Sequence, residues 1–286
     1  MKILVCGGSG FIGRALCRNL IEQNHQVFIY THSANIKTIF KTSSFLKKAF
    51  RSTNFGVISL YNDFPNVDVI INLSGESIAK KKLTKGRLDE ILQSRIDTIE
   101  LILDEYRLRA PKLFIQASAT GIYKDNISSD ETGELGDSDY ARICKTIEEK
   151  AMSLAKNSTF RYSKICIARI GVVVGRGGGL SQNLRFLPKT HFMPGDNTIP
   201  YILLNDIVSA FNLIINKKLS GPVNLCSDDY VTLNKLIALC KPHCPIAIPC
   251  PRKLLEQDKR GELLLADQKI EPKVLLENGF TFTKIK

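Results

Sequence analysis

Short apolar runs alternate with helix-like patterns through residues 1–170. The first run, Lys2–Cys6, ends at a glycine, and apolar residues then recur at helical spacing at Leu16, Leu20 and Ile21. Later runs rich in Val and Ile lie at 27–30, 57–60, 67–73, 113–117 and 165–170, and the longest helical pattern spans 86–109. Apolar strands separated by helices predict an α/β fold, with a doubly wound parallel sheet covered by helices on both faces.

The character of the chain changes after Ile170. The next stretch is rich in glycine and proline, at Gly175, Gly177, Gly178, Gly179, Pro188, Pro194, Gly195 and Pro200. We expect a first domain at 1–170 and, at 171–286, a smaller substrate-binding lobe with a C-terminal segment. A helix predicted near 205–216, capped by Asn205 or Asp206, is expected to return to the first domain.

A glycine-rich turn follows the first strand and opens the first helix: Gly7-Gly8-Ser9-Gly10-Phe11-Ile12-Gly13. Gly7 permits a tight turn, Gly10 lets the backbone approach a pyrophosphate, and Gly13 allows the helix to pack closely on the strand. The amides at the helix N-terminus, at Phe11 and Ile12, offer free N–H groups to phosphate oxygens. Because a strand precedes the turn and a helix follows it, the motif predicts a dinucleotide-binding Rossmann domain rather than a purely structural glycine turn.

The end of the second predicted strand bears on the choice of nicotinamide cofactor. An Asp or Glu there binds the 2′-hydroxyl of NAD, whereas a basic residue accommodates the 2′-phosphate of NADP. The chain has Tyr30-Thr31-His32-Ser33 at this point, without an acid, and Thr31 and His32 can donate hydrogen bonds to a phosphate. The segment therefore predicts NADP; because imidazole is mostly neutral at pH 7, a solvated histidine is the alternative for His32.

Composition and charge are typical of a soluble globular protein with excess positive charge. The 286 residues are 44% hydrophobic and 24% charged, and the formal net charge is +12. Such a charge attracts phosphate-rich ligands, nucleic acid or anionic lipid without choosing among them. The basic runs at 80–82, 85 and 87 and at 47, 48 and 51 lack interleaved aromatic residues, so we expect solvated surfaces and no specific nucleic-acid binding.

No stretch reaches the roughly 18 apolar residues of a membrane span, and the N-terminus lacks the apolar segment of a signal peptide. We therefore expect a cytoplasmic protein without membrane association, whose eight cysteines are reduced thiols. Cys240, His243, Cys244 and Cys250 have metal-ligand side chains, but no second C-x-x-C pair accompanies them and prolines interrupt the segment. Packed thiols are favoured over a zinc site, and no metal is expected.

Several further motifs occur in order along almost the whole chain. They are Asn72-Leu73-Ser74-Gly75-Glu76, Ser94-Arg95, Ser118-Ala119-Thr120-Gly121-Ile122-Tyr123, Arg169-Ile170-Gly171-Val172-Val173-Val174-Gly175, Gly177-Gly178-Gly179-Leu180, Gly221-Pro222-Val223-Asn224-Leu225 and Gln268-Lys269-Ile270-Glu271-Pro272-Lys273. With the glycine turn, they resemble the atypical extended short-chain dehydrogenase/reductases, in the epimerase-family branch that includes cell-division-inhibitor-like proteins and carries a small C-terminal domain of unknown function. The glycine turn alone points only to the superfamily, whereas the block at 264–280 is specific to this branch.

The resemblance implies a Rossmann domain that holds NADP and a substrate pocket beneath a smaller C-terminal lobe. By match of motif, Leu73 and Ser74 lie along the cofactor beyond the fourth strand, and Glu90 and Arg95 lie close to it on the next helix. The loop that ends at Gly75 follows an apolar strand, where ligands meet the carboxyl edge of a parallel sheet. Glu90 and Arg95 stand about 140° apart around a helix, so they cannot share one narrow face. A solvated charge is the alternative for Arg95.

The catalytic apparatus departs from the wider superfamily, in which a serine polarises the substrate, a tyrosine exchanges the proton, and a lysine four residues later lowers the tyrosine's pKa. Ser118 fits the serine because it follows an apolar run and precedes a loop. Tyr140 has Cys144 four residues on, where the lysine would stand, and the resemblance implies that the whole branch lacks this pair. Tyr123 could supply the proton instead. We favour an aromatic ring packed against the cofactor, because no base or cation at a defined spacing supports the phenol.

These observations predict an NADP-binding oxidoreductase, or a nucleotide-sugar-epimerase-like enzyme, that acts on an unidentified polar small molecule by hydride transfer. Ser118 and Tyr123 are its candidate catalytic residues. The alternative is a non-catalytic, NADP-dependent regulatory or binding protein, for example one related to cell division, which the cysteine at position 144 favours. The expected partner is a small-molecule substrate, and a homodimer is one assembly compatible with the prediction.

Overall fold

A computed structural model of the chain describes residues 1–31, 55–59, 64–78, 81–184, 190–241, 246–257, 261 and 264–285. Its strands are β1 (Lys2–Cys6), β2 (Gln26–Thr31), β3 (Phe55–Ser59), β4 (Val69–Asn72), β5 (Leu113–Ala119), β6 (Ser128–Ser129), β7 (Lys164–Ile170), β8 (Val172–Val174), β9 (Thr190–Met193), β10 (Thr198–Ile199), β11 (Tyr201–Leu203), β12 (Gly221–Leu225), β13 (Val231–Thr232), β14 (Ile248–Pro251) and β15 (Lys269–Ile270). Its α-helices are α1 (Phe11–Glu22), α2 (Lys85–Glu105), α3 (Asp139–Ser153), α4 (Gly179–Asn183), α5 (Leu204–Lys217), α6 (Leu233–Cys240), α7 (Lys253–Glu256) and α8 (Lys273–Glu277).

Seven parallel strands form the central sheet, in the order β12-β7-β5-β4-β1-β2-β3. Successive residues of β1 face opposite sides of this sheet: Ile3 and Val5 pack with apolar side chains of α1 and α5, whereas Leu4 and Cys6 pack with those of α2 and α3. Both faces are therefore buried, which explains why the strands are apolar throughout. The prediction of a doubly wound α/β Rossmann fold is confirmed.

The apolar runs locate the strands and the longest helix within a few residues. The runs at 27–30, 113–117 and 165–170 lie inside β2, β5 and β7, and the pattern at 86–109 corresponds to α2. This helix begins where the Thr84 hydroxyl accepts a hydrogen bond from the Arg87 amide at 3.2 Å. The helix predicted near 205–216 is α5, but the expected capping by Asn205 or Asp206 is wrong, because the helix begins one residue earlier, with Leu203 as its N-cap.

The smaller lobe consists of short strand pairs around a separate apolar cluster. β10 pairs with β13, and β14 pairs with β9, around side chains that include Phe192, Tyr201, Leu233 and Leu236. The chain then returns to the central sheet. α5 packs on the same apolar face of this sheet as α1, and β12 pairs with β7. Residues 204–225 thus belong physically to the first lobe although they follow the start of the second.

The C-terminal segment fastens distant parts of the molecule together. β15 pairs with β6, and Leu275 of α8 enters the same apolar cluster as β12. Farther on, the Thr283 hydroxyl donates to Asp206 at 2.7 Å and Lys284 pairs with Asp228 at 2.9 Å. The segment therefore joins the loop after β5 to α5 and to the end of β12.

Among the helices that the structure describes, none is long and apolar enough to cross a membrane. Seven cysteines in the described ranges are free thiols, and all but Cys240 and Cys250 are buried. No three His, Cys, Asp or Glu side chains within those ranges are grouped so that they could hold a metal ion. His243 and Cys244 lie outside the described residues.

Candidate functional site

The glycine turn brings the end of β1 against the loop that follows β4. Gly7 has a φ of +78°, and a Cβ there would lie 2.7 Å from the carbonyl carbon of Leu73 and 2.8 Å from the amide of Ser74. At Gly13 a Cβ would overlap the Gly7 carbonyl, so this glycine allows α1 to pack on the turn. Only glycine fits either position, and Gly7 is thereby placed beside Leu73 and Ser74.

Gly10 differs because its surroundings are open. Among the described atoms, a Cβ at Gly10 would have one neighbour within 4 Å, the Gly7 carbonyl at 3.1 Å. Gly10 also caps α1 without a side-chain hydrogen bond, so the amides of Phe11 and Ile12 have no intrahelical acceptor. A phosphate can enter this space and accept hydrogen bonds from those amides.

The Phe11 side chain serves a different purpose from its amide. A Cβ at Gly178 would overlap the Phe11 ring, and one at Gly179 would lie 3.0 Å from it. The ring therefore packs on the glycine-rich segment at the start of the smaller lobe. The first helix therefore contacts both lobes beside the glycine turn.

The second strand ends where the sequence predicts a site for the adenosine ribose. Thr31 is the last residue of β2 and pairs in register with Ser59 of β3. The Thr31 side chain and the whole of His32 lie outside the described residues. Their contact with a 2′-phosphate stays a prediction.

The loop after β4 is held by hydrogen bonds at the carboxyl edge of the sheet. Asn72 donates from Nδ2 to Gln116 Oε1 at 2.8 Å, and its Oδ1 accepts from the Ser74 amide at 3.1 Å. Gly75 has a φ of +144°, and a Cβ there would lie 2.7 Å from the guanidinium carbon of Arg95. Leu73, Ser74, Gly75 and Arg95 are therefore brought together.

Arg95 folds back over this loop. Its Nη1 donates to the carbonyl of Glu76 at 3.2 Å and to that of Ile91 at 2.8 Å. Burial lowers the pKa of this guanidinium below its ordinary value. Both of these hydrogen bonds go to neutral carbonyls rather than to a carboxylate.

Glu90 does not join Arg95. It is 59% exposed on the side-chain scale and accepts a hydrogen bond from Arg87 Nη1 at 2.7 Å. Arg87 is only 5% exposed and also donates to Glu76 Oε2 at 2.7 Å. The expectation of a solvated surface is therefore wrong for Arg87, because two carboxylates compensate its buried charge. Glu90 is therefore linked to the loop through Arg87, which also contacts Glu76.

A polar row crosses three adjacent strands at the same edge. Ser118 on β5, Arg169 on β7 and Asn224 on β12 are register partners, so their side chains lie on one face of the sheet. Helix α3 covers this face, and its Glu148 accepts hydrogen bonds from Arg169 Nη2 at 2.8 Å and Arg169 Nε at 3.0 Å. The Ser118 hydroxyl donates to the same carboxylate at 2.6 Å.

Ser118 is partly exposed, and its hydrogen bond decides what it can offer a ligand. Because the Ser118 hydroxyl donates its one proton to Glu148, its oxygen can only accept a hydrogen bond from any further partner. The thiol of Cys144 lies beside it, at the position where the wider superfamily has its lysine.

Tyr123 lies at the other end of this row and is 2% exposed. Its hydroxyl donates to Asn224 Oδ1 at 2.7 Å and accepts from Arg169 Nη1 at 2.8 Å. Burial raises the pKa of the phenol to about 12, despite the nearby guanidinium. With both contacts inside the protein, the geometry favours packing over proton transfer for Tyr123. Ser118 and Tyr123 are joined through Arg169 and Glu148.

The C-terminal segment completes the surroundings of Tyr123 and Asn224. Gln268 Nε2 donates to the Tyr123 carbonyl at 2.9 Å, and Asn224 Nδ2 donates to the Glu271 carbonyl at 2.9 Å. Buried Glu131 accepts from the amides of Asn224 at 3.0 Å and Val274 at 3.2 Å. The C-terminal block at 264–280, by which the sequence resembles one branch of the superfamily, thus contacts the polar row directly.

Sequence reasoning missed Glu148, Arg169 and Asn224 as members of this row. One signal was present: Glu148 falls four residues after Cys144 and eight after Tyr140, which places all three on one face of a helix. A second signal was the arginine inside the apolar run at 165–170. A charge at that position of a buried strand needs a partner.

Comparison with known proteins agrees with this geometry. A model of the NAD dependent epimerase/dehydratase family matches residues 3–226. Epimerase family protein YfhF of Bacillus subtilis (strain 168) is 28% identical, over 99% of this chain and 94% of that protein. Epimerase family protein SAR0825 of Staphylococcus aureus (strain MRSA252) is 24% identical, over 98% of this chain and 94% of that protein.

Two solved structures share the fold at lower identity. The human epimerase family protein SDR39U1 (isoform 2), crystallised with NADPH, has a TM-score of 0.80 and 22% identity, with 99% of this chain and 95% of that chain covered. The UDP-glucuronic acid 4-epimerase of Bacillus cereus, in complex with NAD, has a TM-score of 0.75 and 17% identity, with 100% and 94% covered. Because the family model spans most of the sequence, the chain belongs to the NAD dependent epimerase/dehydratase family.

Proposed function

We propose that the chain is an NADP-dependent oxidoreductase or nucleotide-sugar-epimerase-like enzyme that acts on a polar small molecule. The observation that carries the proposal is the open space at Gly10, bordered by the unpaired amides of Phe11 and Ile12. These groups fit a dinucleotide pyrophosphate, which needs close backbone approach and N–H donors. The absence of an acid after β2 supports NADP over NAD. The NADPH in human SDR39U1 supports the same choice.

In this proposal each part of the site has a separate task. The turn amides bind the pyrophosphate, and Leu73, Ser74 and Gly75 border the cofactor beyond β4. The nicotinamide, when bound, supplies the acceptor or donor of a hydride. Ser118 faces the substrate and accepts the proton of a substrate hydroxyl as its own proton passes to Glu148. Arg169 holds Glu148 in place beside that serine through hydrogen bonds from Nη2 and Nε.

The test is cofactor-dependent stabilisation. Melting is followed with NADPH and with NADH at equal concentrations, and we expect NADPH to give the larger rise in Tm. A ligand at about 100 times its Kd adds about 2.7 kcal/mol, which is easily measured. Equal or greater stabilisation by NADH would contradict the choice of NADP, and no rise with either would contradict the dinucleotide site.

A second candidate is a cofactor-binding regulator without turnover. It is favoured by the buried phenol of Tyr123 and by the thiol at position 144. The two are separated by screening carbonyl compounds and nucleotide sugars with NADPH and NADP⁺, then replacing Ser118 by alanine. For the enzyme, we expect turnover to fall about 10²–10⁴-fold while NADPH binding is kept, because the proton acceptor is lost. Absence of any turnover, with a partner captured only in the NADPH-bound form, would establish the regulator.

A further inference from the structure

Arg14 occupies an electrostatically unfavourable position that a bound anion would correct. It is the fourth residue of α1 and therefore lies in the first turn, where the helix dipole is positive. No acidic residue lies in that turn. A cation in this position is disfavoured unless negative charge is bound beside it.

The contacts of Arg14 leave its charge uncompensated. Its Nη1 donates to the Ser9 carbonyl at 3.3 Å, and its Nη2 donates to the Gly177 carbonyl at 3.5 Å. Both acceptors are neutral, and both distances are longer than those of ordinary N–H···O bonds. One turn later on the same helix, Arg18 faces the Glu22 carboxylate at 3.5 Å. The described ranges contain no ion pair of this kind for Arg14.

The two carbonyls place the guanidinium between the lobes. Ser9 belongs to the glycine turn, and Gly177 belongs to the glycine-rich segment on which the Phe11 ring packs. The unpaired amides of Phe11 and Ile12 lie in the same turn of helix. A pyrophosphate that reaches those amides therefore comes close to Arg14. Charge-assisted bonds to phosphate are about twice as strong as bonds to neutral carbonyls.

We propose that Arg14 is a binding residue for the cofactor's pyrophosphate and closes over it from the side of Gly177. This inference rests on the proposed function, since it assumes a dinucleotide at the glycine turn. The guanidinium exchanges its long carbonyl contacts for phosphate oxygens. The 2′-phosphate is expected elsewhere, at the end of β2. Arg14 should accordingly serve NADPH and NADH alike.

The experiment measures Kd for NADPH and for NADH with the wild-type chain, Arg14→Gln and the matched control Arg18→Gln. Nicotinamide fluorescence reports binding, and the chain has no tryptophan to interfere. We expect Arg14→Gln to weaken both dinucleotides by a similar factor of about 10–150, because one charge-assisted contact is lost. Arg18→Gln should bind as the wild type does. Arg14→Lys should recover part of the loss, since it restores the charge without the planar fork.

Three results would overturn the inference. Unchanged binding by Arg14→Gln, with melting showing a folded protein, would assign the side chain to the surface. A loss confined to NADPH would move Arg14 to the 2′-phosphate. If Arg18→Gln weakened binding equally, general surface charge would explain the effect. Failure of the wild-type chain to bind either dinucleotide would instead defeat the proposed function, and this inference with it.

Discussion

Arg169 and Glu148 form a buried, two-point ion pair between β7 and α3, with Arg169 Nη2 and Nε at 2.8 Å and 3.0 Å from the carboxylate. The same carboxylate holds the Ser118 hydroxyl, and the same guanidinium holds the Tyr123 hydroxyl. One pair thus fixes both candidate catalytic residues. Cys144, which stands where the wider superfamily has its lysine, lies one helical turn before Glu148 on α3.

We expect the partners of this pair to be strongly coupled in stability. Arg169→Met or Glu148→Met alone leaves an uncompensated buried charge and should lower the free energy of unfolding by about 3–5 kcal/mol. The double variant removes both charges and should cost clearly less than the sum of the two. Urea unfolding of the four proteins measures this. Additive losses would show that the two side chains act independently.

Tyr123→Phe should lower the free energy of unfolding while leaving cofactor binding unchanged. The change removes the donor to Asn224 Oδ1 and the acceptor for Arg169 Nη1, and leaves the ring in place. Unsatisfied buried partners cost about 1–3 kcal/mol. Urea unfolding gives this value, and NADPH fluorescence should show unchanged binding.

Tyr162→Phe is the matched control, because that ring is largely exposed and the loss of its hydroxyl should leave stability unchanged. Tyr123→Phe with wild-type stability would mean that the buried phenol contributes nothing to the row. If a substrate is found, a loss of about 10²–10⁴ in turnover by Tyr123→Phe would return the phenol to the role of proton donor.

Gly10→Val should abolish stabilisation by both NADPH and NADH. The branched side chain would fill the open space beside the unpaired amides, where the pyrophosphate is expected. Because the site is open, the melting temperature without ligand should change little. Gly86→Val is a suitable control, since a Cβ there meets nothing within 4 Å among the described atoms. Retained NADPH stabilisation by Gly10→Val would remove the glycine turn from the cofactor site.

Asp130 should stabilise the protein at neutral pH and lose that contribution in acid. Hydrogen bonds from the Thr132 hydroxyl and amide, and from Lys273 of α8, lower the pKa of Asp130 from 3.8 to about 2. A folded-state pKa below the unfolded value stabilises above about pH 3.8, and the contribution disappears as the pH falls toward 2.

Asp130→Asn should therefore cost about 1 kcal/mol at pH 7, a value kept modest because Lys273 is half-exposed. The difference from wild type should shrink in urea unfolding between about pH 4 and pH 2.5. Exposed Asp137 on the same loop provides the control, as Asp137→Asn. A cost that stays constant down to pH 2.5 would show that the carboxylate charge is not responsible.

The sequence was sufficient for the sheet and for the loops at its carboxyl edge. Strands buried on both faces are mostly apolar, interrupted here by Gln116 and Arg169, so the runs at 27–30, 113–117 and 165–170 could be identified directly. The rule that ligands meet the carboxyl ends of parallel strands then placed Ser74 and Ser118 at one edge. Register was not needed for either step.

The buried charges could not be placed in the same way. The sequence alone predicts that Arg87 is part of a solvated basic surface. Its two ion pairs exist because the loop and the helix bring Glu76 and Glu90 to it. Arg169 and Glu148 meet only because β7 lies beside β5 under α3. Asn224 joins them through the pairing of β12, which follows the first part of the smaller lobe in the chain. These contacts depend on strand order, which local patterns do not encode.

The position of β12 at the outer edge of the sheet has a consequence for synthesis on the ribosome. Residues 221–225 emerge after the first part of the smaller lobe, so until then β7 has one edge unpaired and its apolar face is incompletely covered. An unpaired apolar strand is a template for association with other chains. Until those residues are made, Tyr123 and Arg169 lack Asn224 beside them, and Tyr123 lacks the hydrogen bond from Gln268. The part of the protein that contains the central sheet therefore reaches its final form only after residues 221–225 and Gln268 have been made.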